Sequence, residues 1–264
     1  MKNILLTLII FGMVGCSKEI NFDQLVERNG IYYEVNSQTP FSGRAVSYHE
    51  NFQLAEKVNF KDGELHGTYK VYNVSGQLEA KGNFKDGEQH GRSEYYYENF
   101  QLAEKENYKD GERHGPFEYY YENGQLAEKG NYKDGELHGT YEVYNVNGQL
   151  EAKGNYKDGI KDGLWESYHE NGQLAEKGNY KDEIKDGFYE SYHENGQLKA
   201  KENYKDGELQ GFEFYHENGQ LMFIHNYKDG ESHGPFEYYS ENGELLSKQC
   251  YRNGEKVDMS YCEE

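Results

Sequence analysis

This chain has little of what a thick globular core is made from. Only 35% of its 264 residues are hydrophobic, and there is one Trp, three Pro and three Cys; the mean hydropathy is −1.10. A compact globule of this length buries more Leu, Ile and Val than are available, so the apolar material has to be spread along a thin body. Positive charge is scarce as well: 28 Lys plus Arg stand against 48 Asp plus Glu, a net charge of −20, and no long basic run occurs. Phosphate backbones are repelled by such a surface, which argues against nucleic acid as a partner. Rings and turn residues are abundant instead, with 27 Tyr, 13 Phe and 31 Gly. Their regular phasing argues against disorder, which high charge and low hydropathy would otherwise suggest.

The one sustained apolar run, Ile4 to Phe11, follows Lys2 and precedes small residues and Cys16. It is too short for a bilayer core of ~30 Å, which takes roughly 20 residues. The pattern reads as an export signal, and Met13-Val14-Gly15-Cys16 resembles a bacterial lipobox with Met13 in place of the usual Leu. That resemblance implies lipidation of Cys16, removal of residues 1–15 and, from Ser17, sorting to the outer membrane. An export signal with an incidental cysteine is the alternative. The expected organisation is a leader over 1–15, a tether over 16–25 and a single repeat domain with terminal caps over 26–264.

The dipeptide Gln-Leu recurs from Gln53 to Gln220, with Glu244 in a ninth copy, at a spacing of 24 residues and once of 23. Five residues before each anchor stands Tyr48, Tyr72, Tyr96, Tyr120, Tyr144, Tyr168, Tyr192, Tyr215 or Tyr239, and seven residues after it Phe60, Phe84, Tyr108 or a later Tyr as far as Tyr251. Fixed phasing of this kind belongs to repeat architectures, in which each copy buries its apolar positions against its neighbours.

Two turn signals alternate within a copy, Asn-Gly as at Asn123-Gly124 and Asp-Gly as at Asp134-Gly135. Both tolerate the positive φ that a hairpin reversal demands, and the segments between them are rich in β-branched and aromatic residues. The spacing therefore predicts an all-β fold: an elongated single-layer meander of repeated β-hairpins, about nine 24-residue units. A helical repeat of the tetratricopeptide kind needs a longer period and fewer internal glycines. A second glycine four residues after Asp-Gly, such as Gly139, suggests a corner wider than two residues. A two-residue Asn-Gly turn would put Tyr120 and Leu126 on opposite faces, whereas a three-residue loop with a glycine bulge would put them on one face and make it richly aromatic. Phe52 and Phe100 replace the turn glycine, and Glu183 replaces the Asp-Gly glycine, so those corners must bend differently.

Chemistry finds no focus in the pattern. Histidines at 66, 90, 114, 138 and 233, and at 49, 169, 193 and 216, repeat two strands apart, roughly 9–10 Å, which is too far to share one zinc ion. A turn-stabilising or solvated role is expected for them, with no metal and no cofactor. The Asp-Gly-Glu corners lack the ligand series of a calcium loop, and no nucleophile-base-acid set stands apart from the repeat. An enzyme is not expected. Cys250 and Cys262 make a disulfide pair in an oxidising compartment, with two free thiols as the alternative. The Tyr columns are read as cross-strand packing for most rings, with sugar or peptide stacking on any face that leaves them exposed.

The recurring Y-x-E-N-G-Q-L and Y-K-D-G-E-x-H-G, with RNGIYYEVNSQTPFSG at the start, resemble the MORN repeat variant and, more narrowly, bacterial proteins labelled YwqK-family antitoxins. The resemblance covers about Val26 to Gly254. It implies a non-enzymatic hairpin protein that binds other proteins. The functional expectation is a lipid-anchored envelope protein acting as a protein-binding or scaffolding module, its membrane contact made through Cys16. The alternatives are an immunity protein that sequesters one toxin and a cell-wall glycan binder.

Overall fold

The structure, a computed structural model, describes residues 18–263, so Cys16 and the leader lie outside the described residues. The chain divides into two compact units, Met1–Gln89 and His90–Glu264. Both are all-β, and neighbouring strands follow chain order as antiparallel hairpins.

In the first unit the strands Gly43–Tyr48, Leu54–Lys61, Glu64–Tyr72 and Leu78–Lys85 pair in sequence. The segment before them forms a cap. Glu19–Asn21 runs parallel to Gly43–Tyr48, while Leu25–Arg28 and Ile31–Glu34 make a separate two-stranded hairpin. Phe41, Ala45, Val46, Val58 and Phe60 are buried in this unit. The Tyr32 and Phe22 rings lie 5.1 Å and 6.0 Å from Phe60, which gives this end a small true core.

The second unit runs from Gly91–Tyr96 to Glu255–Val257. The strands Gly115–Tyr120, Leu126–Lys133 and Gly139–Tyr144 show its construction. At the first corner Tyr121 N–H donates to Gln125 O and Gly124 N–H to Tyr121 O, both at 2.8 Å, with Gly124 at φ +81. This is the three-residue loop with a glycine in the left-handed region, and Tyr120 stands directly across from Leu126. The register then shifts, because Glu128, not Ala127, pairs with Tyr119. That extra residue turns the rest of the strand over, so the rings are divided between both faces; the single aromatic face expected from such a loop does not form.

The second corner also differs from expectation. Lys133 pairs with Glu136 across Asp134 (φ 50) and Gly135 (φ 86), a tight two-residue turn. The second glycine widens the following strand instead: Gly139, at φ +85, follows His138, whose N–H donates back to Asn131 O at 2.9 Å. Phe52, Phe100 and Glu183 adopt φ of 64, 68 and 67, so the residues that replace glycine keep its left-handed backbone. At the carboxy end a disulfide joins Cys250 to Cys262, with the Cα atoms 6.0 Å apart.

Candidate functional site

Strand alternation sorts the second unit into two chemically distinct faces. One face is aromatic. Its central column stands eight residues before the anchor, at Phe117, Tyr141, Trp165, Tyr189, Phe212 and Phe236. Gly154 pairs across with Tyr141 and Gly178 with Trp165, and over each bare backbone lies the ring of the following copy, Trp165 over Gly154 and Tyr189 over Gly178. A Cβ at Gly154 would meet the Trp165 ring at 2.3 Å, and one at Gly178 the Tyr189 ring at 2.1 Å. Rings seven residues after the anchor complete the contacts, with Phe117–Tyr132 centroids at 4.7 Å and Tyr156–Trp165 at 5.3 Å. Phe117 is 1% exposed, and the other rings of the column are half-buried.

One copy inverts this arrangement. Ser93 takes the ring position, and Glu106 takes the position of the glycine across from it. The Glu106 carboxylate is buried, accepts the Tyr108 and Tyr119 hydroxyls and pairs with Arg113 at 3.1 Å. Burial and the bond to Glu106 push the Tyr108 hydroxyl up to about 12. In a later copy His225 occupies the glycine position, within 5.2 Å of the Phe236 ring and 4.8 Å of the Tyr227 ring. Desolvation there lowers its pKa.

The other face is charged, and the Tyr column singled out in the sequence lies on it. Tyr120, Tyr168, Tyr192 and Tyr239 donate to Glu118, Glu166, Glu190 and Glu237 at 2.5–2.7 Å, and Tyr96, Tyr144 and Tyr215 donate likewise to Glu94, Glu142 and Glu213. Tyr48 and Tyr72, in the first unit, have Val46 and Lys70 two residues before them. Across the strand pairs a lysine meets four of these glutamates in succession: Lys105–Glu118 at 2.7 Å, Lys129–Glu142 at 3.0 Å, Lys153–Glu166 at 2.6 Å and Lys177–Glu190 at 2.8 Å. The ammonium groups of Lys129, Lys153 and Lys177 also sit over the next tyrosine ring, as Lys153 does over Tyr168 at 5.7 Å. Hydrogen bonds from Lys153 and Tyr168 hold the Glu166 carboxyl below its ordinary range, and burial with the bond to Glu118 pushes Tyr120 up to about 12.

The corners form two further ladders. Asn123 accepts from Gln125 N–H at 2.9 Å and donates its side-chain amide to Val146 O of the next corner at 2.8 Å. In several copies the residue beginning the loop adds a second link: Tyr121 donates to Tyr144 O, and the His169 ring nitrogen bonds Tyr192 O at 3.0 Å. At the opposite corners His90, His114 and His138 lie 3.3 Å from Asp110, Asp134 and Asp158 of the following copies. Within the first unit His66 does the same with Asp86 at 3.2 Å. These histidines join corners to corners, and no group of three or more metal-ligating side chains occurs among the described residues.

The reading of the sequence missed the ring-over-glycine column. A signal was present: a ring three residues before seven of the nine Tyr, matched in four copies with a glycine five residues after the anchor, at Gly82, Gly130, Gly154 and Gly178. Comparison with known proteins finds the MORN repeat variant at residues 65–86, 89–110, 113–134, 137–158, 161–182, 185–206, 212–229 and 232–253. No curated protein matches. Among solved structures, the chain is similar to a GtfA/B complex bound to UDP and GlcNAc, at 19% identity over 41% of this chain and 21% of that one, with a TM-score of 0.18. It is also similar to TcdB2-TccC3-Cdc42, at 12% identity over 81% and 13% with a TM-score of 0.21. A third is a Photorhabdus luminescens Tc holotoxin pore, at 11% identity over 80% and 14% with a TM-score of 0.16. The chain thus spans about a fifth or less of those solved chains, and likeness at this level identifies neither fold nor function.

Proposed function

Because this chain belongs to the MORN repeat variant family, we propose that it is a non-catalytic binding or scaffolding module for a protein partner, exported and held at the bacterial envelope by lipid on Cys16. The observation that carries the reading is the recurring Lys–Glu–Tyr rung. Lys105–Glu118, Lys129–Glu142, Lys153–Glu166 and Lys177–Glu190 repeat one arrangement copy after copy, which offers a partner a regular charged face. The net charge of −20 favours a partner with a basic surface. The YwqK-like immunity role is the narrower form of this reading, in which the partner is a single toxin.

The test is crosslinking and affinity capture of the full-length protein from its own cells, with Cys16→Ser as the unanchored control and mass spectrometry as the readout. One stoichiometric protein partner is expected, its capture weakening as salt is raised, because exposed charges are screened within ~10 Å at 0.1 M. Recovery of envelope glycan alone, or capture indifferent to salt, would overturn the reading. Equal release of both forms from membranes would overturn the anchor.

A further inference from the structure

The copies keep a 24-residue spacing except between Gln197 and Gln220, where it is 23. The structure locates the missing residue. In full-length copies the second glycine is left-handed, at φ +88 for Gly163, +92 for Gly187 and +86 for Gly234. The residue after it, Leu164, Phe188 or Pro235, then stands on the charged face opposite Asn179, Asn203 or Cys250. Gly211 has no left-handed φ and itself takes that place, paired with Asn203 on one side and Asn226 on the other. A position that elsewhere carries a side chain carries none. The cleft on the charged face measures about 280 Å³ here, against about 160 Å³ and 150 Å³ at the corresponding places lined by Leu164 and by Pro116, and is bounded by Phe188, Lys201, Asn203, Gln210, Glu213 and Ile224 among others.

The ladder of charges breaks at the same place. Glu190 in the preceding copy receives Lys177 at 2.8 Å, and Glu237 in the following copy receives Lys248 at 3.1 Å. Glu213 faces Lys201 on one side and, on the other, Ile224, which replaces the lysine of its column. Lys201 does not bridge the gap. Its ammonium lies over the Phe188 ring, 4.6 Å from the centroid, and its charge acts on Glu190. Among the described residues Glu213 therefore keeps the Tyr215 hydroxyl and no ammonium. Phe188, 55% exposed, rims the opening.

We propose that this cleft receives a lysine or arginine side chain of the protein partner, which takes the rung that Ile224 leaves empty. The Glu213 carboxylate, already oriented by Tyr215, accepts the cationic head. The apolar wall of Ile224 lies beside the aliphatic stem, which snorkels past it as long basic side chains do. A charged hydrogen bond to a carboxylate is the stronger kind, and the molecule's net charge draws a cation toward it. The inference rests on the protein-binding reading and names the point at which a basic partner surface engages.

The test uses the full chain, amide-resolved NMR and a capped Gly-Arg-Gly peptide, with the neutral citrulline peptide as control. Saturable shifts centred on Gly211, Glu213 and Ile224 are expected for the arginine peptide and none for citrulline. Ile224→Lys restores the lysine that the column carries elsewhere, so it keeps the fold while supplying its own ammonium; binding should fall at least tenfold, as it should in Glu213→Gln. Shifts spread over all the Asp-Gly corners, or binding undiminished in Ile224→Lys, would overturn the proposal. Capture separates the two readings. A cellular partner retained by Ile224→Lys removes the cleft and leaves the module, whereas peptide binding without any cellular partner removes the module and leaves the cleft.

Discussion

Glycine at position 154 acts here through its missing side chain and not through its backbone freedom. The Trp165 ring occupies the place where a Cβ would stand, at 2.3 Å, and Gly154 has no left-handed φ. Gly154→Ala should therefore destabilise the second unit by about 1–3 kcal/mol, the usual range for overpacking, measured by urea unfolding. Gly139, whose added Cβ would meet nothing within 4 Å, tests the other role: Gly139→Ala should cost about 1 kcal/mol through its φ of +85 alone. His225 adds a pH dependence. Burial lowers its pKa in the fold, so on acidification the unfolded chain takes up a proton before the folded chain does, and stability falls as pH drops through about 6.5. The thermal midpoint should drop more between about pH 7.5 and 5.5 in the wild type than in His225→Gln, which carries the residue found at the equivalent Gln249; equal drops would refute the assignment.

At the scale of the element, the corners hold successive hairpins together as well as reversing the chain. Asn123 serves both purposes, one bond closing its own loop and one reaching Val146 O in the next. Asn123→Ala should cost about 1–2 kcal/mol for the two bonds and speed amide exchange at both corners, whereas a purely local turn residue would affect only its own. The last hairpin depends on a covalent link. Reducing Cys250–Cys262 releases a 12-residue separation and should cost about 2–3 kcal/mol, with faster exchange confined to residues 245–262. Much of this scale was legible in the chain: Asn-Gly and Asp-Gly announced the reversals, and the period announced the pairing. The bulge after Leu126 was not, because Leu-Ala-Glu reads equally well as regular strand, and only pairing with Tyr119 shows which residue is skipped.

At the scale of the whole molecule, stability is shared between near neighbours, since each copy touches mainly the copies beside it. The effect of Gly154→Ala on amide exchange should be greatest in the strands from Phe117 to Tyr189 and fade beyond them; uniform change throughout His90–Glu263 would show global cooperativity instead. The Lys–Glu–Tyr rungs and the ring-over-glycine stack repeat together, so one substitution alters a face locally without erasing it elsewhere. A recognition surface built this way gains specificity where the repeat departs from itself, as at Gly211 and Ile224.

The amino-acid sequence by itself determined the repeat, its 24-residue period, the all-β hairpin class and the two kinds of corner, because turn residues and strand formers act locally and their spacing is visible along a line. The sharing of rings between two faces was decided only by the tertiary structure: a single skipped residue after each loop inverts every side chain that follows it. The cleft beside Glu213 was decided there too. The 23-residue spacing shows that something is missing, but only strand pairing reveals that the left-handed residue is the one lost and that Gly211, which has no side chain, stands where the charged face is elsewhere covered.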